Sequence, residues 1–555
     1  MASSTKGFDT SVKPKIESIS SEKQVHADGF LLNFWKRLSI ASKAAFFSCF
    51  IFGYLIHLYA FSNVIPNSDG LSRVFDLQQM TISGRWFLHY ASIFNSWLQA
   101  PALIGFFSVL FMSISAGLIA HLFKIKNPII AGFIGFLLIA FPSVAYTYLY
   151  MFTASAYFFG VLLAVLSVWI THQYKWGILP GILLLACSIG TYQSYFGVAI
   201  TLSVVLVLLM ALKPSTKAVE TIWFGIRFLI LLGMGMAFYF LILKIFLDVK
   251  QLQLLDYLGM RDTVSNYPLG DLPQIIQKTY SEFIDYFITP NKVNPYTTEY
   301  TALLNAGIIS AGFLTIFILY IKGKIFKSPI KTGIVIILLA AIPLCLNITQ
   351  LMNPMGTLTP IMRYTFVLVY IFILILIDQE ILQPVKNIRW LQNVVLILLI
   401  ATGINHFQIA NVIYLASEQA HRTTQSMMTR LVDRVESLSG YQNGMQVVII
   451  GSVPTNIYYT DIAAYKTVAH YSLPPSSVIT KTKHMYYYLN DWLNVPWVEP
   501  DEQTLISVSS SELFKSMPLY PNDGSIQIVD NRVLVKLESE YKPKQQYEID
   551  YENRR

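Results

Sequence analysis

The side chains best suited to chemistry lie in one short segment, residues 66–86, directly after the first apolar stretch of the chain. Asp69 and Asp76 are carboxylates that could take a proton from a hydroxyl group, as a general base does. Arg73 and Arg85 carry guanidinium groups, which match the oxygens of a phosphate in a bidentate way. A carboxylate and two arginines at the edge of a bilayer predict chemistry on an anion that is attached to a lipid. A purely structural role, in which the arginines pair with the two aspartates or with lipid headgroups, stays open.

Five further residues are candidates for holding a substrate. Trp86 could stack on the face of a sugar, although anchoring at the headgroup level is the commoner role of such a residue. His89 could shuttle protons or be a structural histidine, and Tyr192 and Gln193 could hydrogen-bond a sugar from a short turn between two apolar segments. Arg363 lies at the mouth of a later apolar segment, and ionisable residues at membrane depth are functional candidates by default.

The elements that must position these residues are membrane helices. Hydrophobic residues make up 54% of the 555 residues and charged residues 13%, whereas soluble chains carry about 25% charged residues. The chain is therefore an α-helical polytopic membrane protein. The net charge of +8 does not indicate a nucleic-acid partner, because the basic residues lie mainly in short loops between apolar segments. The sequence has no glycine-rich phosphate loop and no H-E-x-x-H pattern, so nucleotide and zinc chemistry have no local support.

We count about eleven apolar segments, each long enough at about 20 residues to cross a bilayer. The predicted spans are 41–62, 101–123, 128–148, 153–171, 177–193, 196–212, 223–247, 301–321, 333–350, 363–380 and 391–410. The three cysteines, Cys49, Cys187 and Cys345, all lie in these segments without the spacing of a disulfide framework or a metal site.

The basic residues between the spans predict the orientation of the chain. They fall on one side of the membrane if the N-terminus is cytoplasmic, as the positive-inside rule requires. Loops 63–100, 248–300 and 351–362, and the tail after residue 410, then lie outside. The basic residues that set this orientation are Lys36, Arg37, Lys43, Lys124, Lys126, Lys175, Lys213, Lys217, Lys322, Lys324, Lys327, Lys331, Lys386 and Arg389.

Three domains follow from this topology. Residues 1–40 form a polar cytoplasmic segment, residues 41–410 a transmembrane bundle, and residues 411–555 an extracytoplasmic helix with a small α/β or α+β domain. The helix is expected near 411–438, and the β-branched run at 446–451 predicts a short buried strand. Within loop 248–300, apolar residues at helical spacing between 272 and 287 predict an amphipathic helix that lies either in the membrane interface or on the bundle.

Three pieces of the sequence together resemble the bacterial GtrII-type glucosyltransferases, membrane enzymes that modify O-antigen and related cell-surface polysaccharides. Asp69 follows the first span, Ser83-Gly84-Arg85-Trp86 follows Asp69, and residues 188–195 read Ser-Ile-Gly-Thr-Tyr-Gln-Ser-Tyr. The order of loops and spans is similar to that family from about residue 45 to residue 440.

The resemblance implies a GT-C-type glycosyltransferase of the bacterial inner membrane. Such enzymes take a sugar from a polyprenyl-phosphate sugar, usually glucose on undecaprenyl phosphate, and transfer it outside to a lipid-linked or surface glycan. A donor synthase and a flippase would be the partner proteins. GT-C enzymes place an essential acid in the first outer loop, where Asp69 stands in this sequence, with Asp76 as the second candidate. Family members often have two adjacent acids, whereas Gly70 follows Asp69, so we expect a single base without a required metal, and a divalent metal stays open.

The residues agree with this interpretation but fit three different functions as well. Arg85, Arg73 and Arg363 could hold the donor phosphate, and displacement by a base-activated hydroxyl would invert the sugar. A transporter or flippase of lipid-linked sugars would need charged or broken helices near the midplane, where His57, Arg227 and Lys244 are the evident ionisable residues. An O-antigen polymerase or ligase would act on a lipid pyrophosphate, and a glycan-assembly scaffold would act through the tail.

Overall fold

The computed structural model describes residues 35–72, 74–254, 267–294, 297–354, 356, 358–379, 389–452 and 478–543. The chain divides into two compact units, Met1–Ser39 and Ile40–Arg555. Of the predicted site residues, Arg73 lies outside the described residues.

The apolar part of the chain is built from helices. The α-helices there are α1 (Ile40–Ser62), α2 (Leu88–Ala91), α3 (Pro101–Leu122), α4 (Pro128–Ala140), α5 (Pro142–Leu149), α6 (Met151–Gln173), α7 (Ile178–Thr191), α8 (Phe196–Leu212), α9 (Ala218–Val249), α10 (Leu272–Ile288), α11 (Glu299–Lys322), α12 (Pro329–Leu346), α13 (Ile348–Met352), α14 (Leu368–Ile377) and α15 (Arg389–Glu436). Short 3₁₀ segments occur at Thr81–Ser83, Ser92–Asn95, Gln193–Tyr195, Leu269–Asp271, Ile325–Lys327 and Pro360–Val367.

Proline and short polar residues set several helix starts. Pro128 and Pro329 occupy the first turns of α4 and α12, where a residue without an N–H costs nothing. The side chains of Asn127 and Ser328, directly before them, accept hydrogen bonds from the backbone of the first turn, as N-cap residues do. Pro142 interrupts the third predicted span, so α4 ends at Ala140 and α5 begins at Pro142.

The prediction of a polytopic helical membrane protein is confirmed. Ten of the described helical stretches are long and apolar enough to cross a bilayer. The remaining predicted segment, the fifth at 177–193, is the shorter apolar helix α7 of 14 residues. A helix of that length spans about 21 Å, less than the hydrocarbon thickness of about 30 Å.

The lysine-bearing connections pack against one another. Nζ of Lys331 donates hydrogen bonds to the backbone oxygens of Lys213 (2.6 Å) and Thr216 (3.1 Å). The carboxylate of Asp378 accepts hydrogen bonds from the backbone N–H groups of Lys126 (2.8 Å) and Asn127 (3.2 Å). These contacts tie together connections that the charge pattern predicts to share one side of the membrane.

The amphipathic helix predicted at 272–287 is present as α10, and it packs on the bundle. Ile275 and Phe287 are buried, whereas Leu272 and Ile284 are exposed. The amide of Asn347 donates a hydrogen bond of 3.2 Å to the backbone oxygen of Thr279.

The last span and the predicted tail helix form one continuous helix, α15, of 48 residues. The domain that follows comprises β1 (Gln446–Ile450), α16 (Thr482–Leu493), α17 (Glu502–Ser510), α18 (Glu512–Ser516), β2 (Ile526–Val529) and β3 (Arg532–Lys536). The sheet has the order β1-β3-β2, with β1 parallel and β2 antiparallel to β3. The two-residue turn Asp530-Asn531 has positive φ at both positions (48° and 59°), which suits the twist of a tight hairpin. The predicted strand at 446–451 and the mixed α/β character of the domain are therefore confirmed.

Two of the three intramembrane ionisable residues, His57 and Arg227, have structural partners. The His57 ring lies fully buried, with Nδ1 2.7 Å from the Tyr414 hydroxyl and Nε2 2.9 Å from the Ile139 backbone oxygen. Since only a ring N–H can meet a carbonyl, Nε2 donates and Nδ1 accepts in a neutral imidazole. Arg227 donates to the backbone oxygens of Tyr174 and Lys175, and Lys244 is exposed.

Candidate active site

A tight turn at residues 80–85 carries the first arginine of the candidate site. Gly84 has a φ of +78°, a left-handed conformation that glycine adopts without strain. Nε2 of Gln193 donates hydrogen bonds to the Ser83 backbone oxygen (2.9 Å) and to the Tyr239 hydroxyl (3.3 Å), and that hydroxyl donates to the Gly84 oxygen (3.1 Å). Residues from two distant parts of the chain, Gln193 and Tyr239, thus fix this turn.

The guanidinium group of Arg85 contacts two tyrosines. Nη1 donates a hydrogen bond of 3.1 Å to the Tyr157 hydroxyl, and Cζ lies 5.2 Å from the centre of the Tyr192 ring. The two rings stack on each other at 4.5 Å. A guanidinium over an aromatic face gains a cation–π attraction, so this pair holds the Arg85 head in a defined place while the residue stays half-buried.

Trp86 packs inside the protein. Its side chain is only 6% exposed, and its ring stacks on Phe246 at 5.8 Å. A Cβ at Gly190 would lie 2.5 Å from the indole ring, so the absence of a side chain there admits the tryptophan. Within the described residues, the indole N–H has no hydrogen-bond acceptor. Packing of this kind differs from an anchor at the headgroup level.

Asp69 lies in a turn that is fixed on both sides. The backbone N–H of Gly70 donates to the Oδ1 of Asn67 (2.7 Å), and Phe152 of α6 lies beside Gly70. On the other side, Leu71 is completely buried. Asp69 itself is exposed, so its carboxylate faces the space outside the protein.

Asp76 and His89 belong to a separate part of the same loop. Oδ1 of Asp76 accepts a hydrogen bond of 2.8 Å from the backbone of Gln78, so this carboxylate caps a local turn. The His89 ring stacks on Trp97 at 5.2 Å, and its Nδ1 lies 2.6 Å from the Leu77 backbone oxygen. Nδ1 therefore donates this hydrogen bond, since a carbonyl oxygen can only accept.

Arg363 has an acidic neighbour that the sequence did not reveal. Nη2 lies 4.0 Å from Oε2 of Glu282 on α10, and Nη1 donates 3.3 Å to the Val293 backbone oxygen. Lys278 lies 4.0 Å from the other oxygen of Glu282. One turn further along α10, hydrogen bonds from Lys292 and from Thr289 lower the pKa of Asp285.

A row of tyrosine rings connects the two arginines. The Tyr195 ring lies 5.3 Å from that of Tyr192 and 6.3 Å from that of Tyr364, the residue after Arg363. The structure thus assembles Arg85, Tyr192 and Gln193 directly, with Arg363 at the far end of this row. Asp69, Asp76 and His89 occupy the loop before and after Arg85.

A comparison with protein families gives the family of the chain. The family model described as Glucosyl transferase GtrII matches residues 58–377, more than half of the chain. The chain belongs to the GtrII glucosyltransferase family. A comparison with curated proteins and one with solved structures give no match.

The matched region of this GtrII-family chain includes every predicted site residue and ends at the last residue of α14. The resemblance deduced from Asp69, residues 83–86 and residues 188–195 is therefore confirmed. Membership makes the chain a membrane glucosyltransferase. The C-terminal domain lies beyond the match.

Three polar residues at the site escaped sequence analysis, namely Tyr157, Tyr239 and Glu282. Tyr157 and Tyr239 stand within apolar helices, where a lone tyrosine is an ordinary core residue. What distinguishes these two tyrosines is a buried hydroxyl that needs a hydrogen-bond partner. The partner of Tyr157 lies 72 residues away and that of Tyr239 lies 155 residues away. Among the described residues, no group of three His, Cys, Asp or Glu side chains could hold a metal ion.

Proposed function

We propose that this GtrII-family protein transfers glucose from a polyprenyl-phosphate donor, undecaprenyl phosphate in the first instance, to a lipid-linked or surface glycan. The reaction would take place on the extracytoplasmic face of the bacterial inner membrane, in a bundle of the GT-C type. The observation that carries the proposal is the Arg85 guanidinium, which two tyrosines hold in place in the loop that also presents the exposed Asp69.

Arg85 would bind the donor phosphate. The phosphate of the donor is the leaving group, and negative charge grows on it as the bond to the sugar breaks. A guanidinium fixed in advance stabilises this charge without having to reorganise. The tyrosine row and the apolar bundle would accommodate the sugar and the lipid tail, and Arg363 is the second candidate for the phosphate.

Asp69 would be the general base. It takes the proton from the acceptor hydroxyl while the hydroxyl oxygen forms a bond to the anomeric carbon of the glucose. The bond from that carbon to the phosphate oxygen breaks, and its electron pair leaves with the polyprenyl phosphate. Because attack and departure occur on opposite faces of the carbon, the transfer inverts the anomeric configuration.

The test is transfer of radiolabelled glucose from undecaprenyl-phosphate glucose to glycan of the host, catalysed by membranes that contain each variant at equal expression. Asp69→Asn should lower transfer by about 10² to 10⁴-fold, the usual contribution of a general base. Asp76→Asn tests the second candidate, and we expect it to retain most of the activity because its carboxylate caps a local turn. Asp271→Asn, at an exposed position outside the candidate site, is the matched control.

Equal transfer by wild type and Asp69→Asn would overturn the assignment of the base and direct attention to Asp76. Unimpaired movement of the lipid-linked sugar across the membrane, without transfer by the wild type, would favour a flippase. Activity only with a lipid pyrophosphate donor would favour a polymerase or ligase.

A further inference from the structure

The C-terminal domain contacts the turn that carries Asp69. Leu71, two residues after Asp69, is completely buried in a hydrophobic cluster whose other members come from α15 and the C-terminal domain. Nε1 of Trp492, on α16, donates a hydrogen bond of 3.2 Å to the Leu71 backbone oxygen. These two residues are 421 positions apart in the sequence.

Trp492 is itself held in a defined position. Its ring stacks on Tyr488 at 6.0 Å with an angle of 8° between the planes, and it meets the His421 ring edge-on at 5.3 Å. Tyr488 belongs to α16 and His421 to α15, so two helices orient the indole. An aromatic ring fixed in this way presents its N–H in a constant direction.

The opposite side of the same turn rests on the transmembrane bundle. The Asn67 side chain accepts the hydrogen bond from the Gly70 backbone, and Phe152 of α6 lies against Gly70. The turn of residues 67–71 is thus held between the bundle and the C-terminal domain, and Asp69 is its exposed member.

We infer that the C-terminal domain sets the position of Asp69, with Trp492 as the positioning residue and Leu71 as the side chain through which the domain holds the turn. The inference rests on the proposed role of Asp69 as the base. Proton transfer requires a base within hydrogen-bond reach of the hydroxyl, so a turn freed on one side would spend less time in the reactive geometry. The domain would then affect kcat more than the KM for the donor.

The experiment compares Trp492→Phe with Trp497→Phe in the full-length protein. Phenylalanine keeps an aromatic ring in place of Trp492 but loses the N–H that reaches Leu71. Trp497 is the matched control, because it lies in the same domain and its Nε1 donates to the Tyr441 hydroxyl instead. Leu71→Ala removes the buried side chain from the loop side of the contact.

Two measurements are made on each variant, amide hydrogen exchange over residues 63–72 and the kinetics of glucose transfer. In Trp492→Phe we expect exchange in the turn to be faster and kcat lower, each by about five-fold, which corresponds to a typical hydrogen bond. The KM for the donor should stay within about two-fold of the wild-type value, since Arg85 is untouched. Leu71→Ala should speed exchange in the turn and lower kcat by more than Trp492→Phe does. Trp497→Phe should leave exchange in the turn at the wild-type rate.

Unchanged exchange of β1 residues 446–450 shows that the domain stays folded in each variant. Equal exchange of the turn in Trp492→Phe and Trp497→Phe, with equal kcat, would overturn the inference. Inactivity of the wild type would count against the proposed function alone, because the exchange comparison needs no substrate.

Discussion

At the scale of single residues, Arg85 shows how a charge can be held in place near a membrane. Tyr157 and Tyr192 hold its head through a hydroxyl and a ring face. Arg363 is held instead by the carboxylate of Glu282, 4.0 Å away. In the proposed reaction Arg85 is the first candidate for binding the donor phosphate, because its two contacts fix the guanidinium in advance.

The first prediction concerns this charge. Arg85→Gln should lower glucose transfer by about 10- to 100-fold, because hydrogen bonds to charged groups contribute about 1.5–3 kcal/mol. Arg85→Lys should recover part of the loss, since it restores the charge without the bidentate fork. The assay is transfer from undecaprenyl-phosphate glucose in membranes. Arg532→Gln, at an exposed position of the C-terminal domain, is the control for loss of one arginine. Wild-type transfer by Arg85→Gln would remove this residue from the site.

At the scale of elements, the turn at 80–85 sets the positions of Arg85 and Trp86. Its polar backbone is satisfied by side chains from α9 and from the 3₁₀ segment after α7. Such a turn tolerates few changes, because the glycine at its apex has both a left-handed backbone and close neighbours on the side where a Cβ would stand.

The second prediction tests this turn. Gly84→Ala should destabilise the protein by about 1–2 kcal/mol through the left-handed backbone alone, and its Cβ would also lie 2.6 Å from Nε2 of Gln193. We expect a lower midpoint of thermal unfolding in detergent and a loss of transfer. Gly233→Ala is the control, because a Cβ there meets no atom within 4 Å, and it should be neutral or slightly stabilising in a helix. Equal behaviour of the two variants would contradict this account.

The sequence predicts the helices better than it predicts where one helix ends and the next begins. Apolar runs of about 20 residues identify the spans because a bilayer demands that length, and the amphipathic pattern at 272–287 identifies α10. The fusion of the last span with the tail helix into α15 is not predictable in this way, since a change from apolar to polar composition within one helix leaves no break in helical propensity.

The candidate site was predictable only in part, for a related reason. Asp69 and Arg85 stand out because a charge in a loop at a membrane edge is conspicuous in the sequence. Tyr239 and Trp492 do not stand out, because their roles depend on partners 155 and 421 residues away. Contacts over such separations are fixed by the packing of helices, which composition and periodicity do not specify.

At the scale of the whole molecule, the charge pattern predicts that the lysine-bearing connections and the candidate site lie on opposite sides of the membrane. The lysine-bearing connections hydrogen-bond one another, as Lys331 does with the Lys213 and Thr216 backbone. The candidate site and the C-terminal domain are joined through Leu71 and Trp492. By the positive-inside rule the lysine-bearing connections should be cytoplasmic, so the candidate site should face the extracytoplasmic side, as the proposed function requires.

The last prediction is that this orientation holds in the cell. Gln79→Cys in the first loop and Asn522→Cys in the C-terminal domain, both at exposed positions, should react with a membrane-impermeant maleimide in intact spheroplasts. Lys327→Cys, also exposed, should react only after permeabilisation. The wild type is the control, because Cys49 and Cys345 are buried and Cys187 is half-buried. The reverse pattern would place Asp69 and Arg85 in the cytoplasm, where the enzyme would have to meet its donor before the donor crosses the membrane.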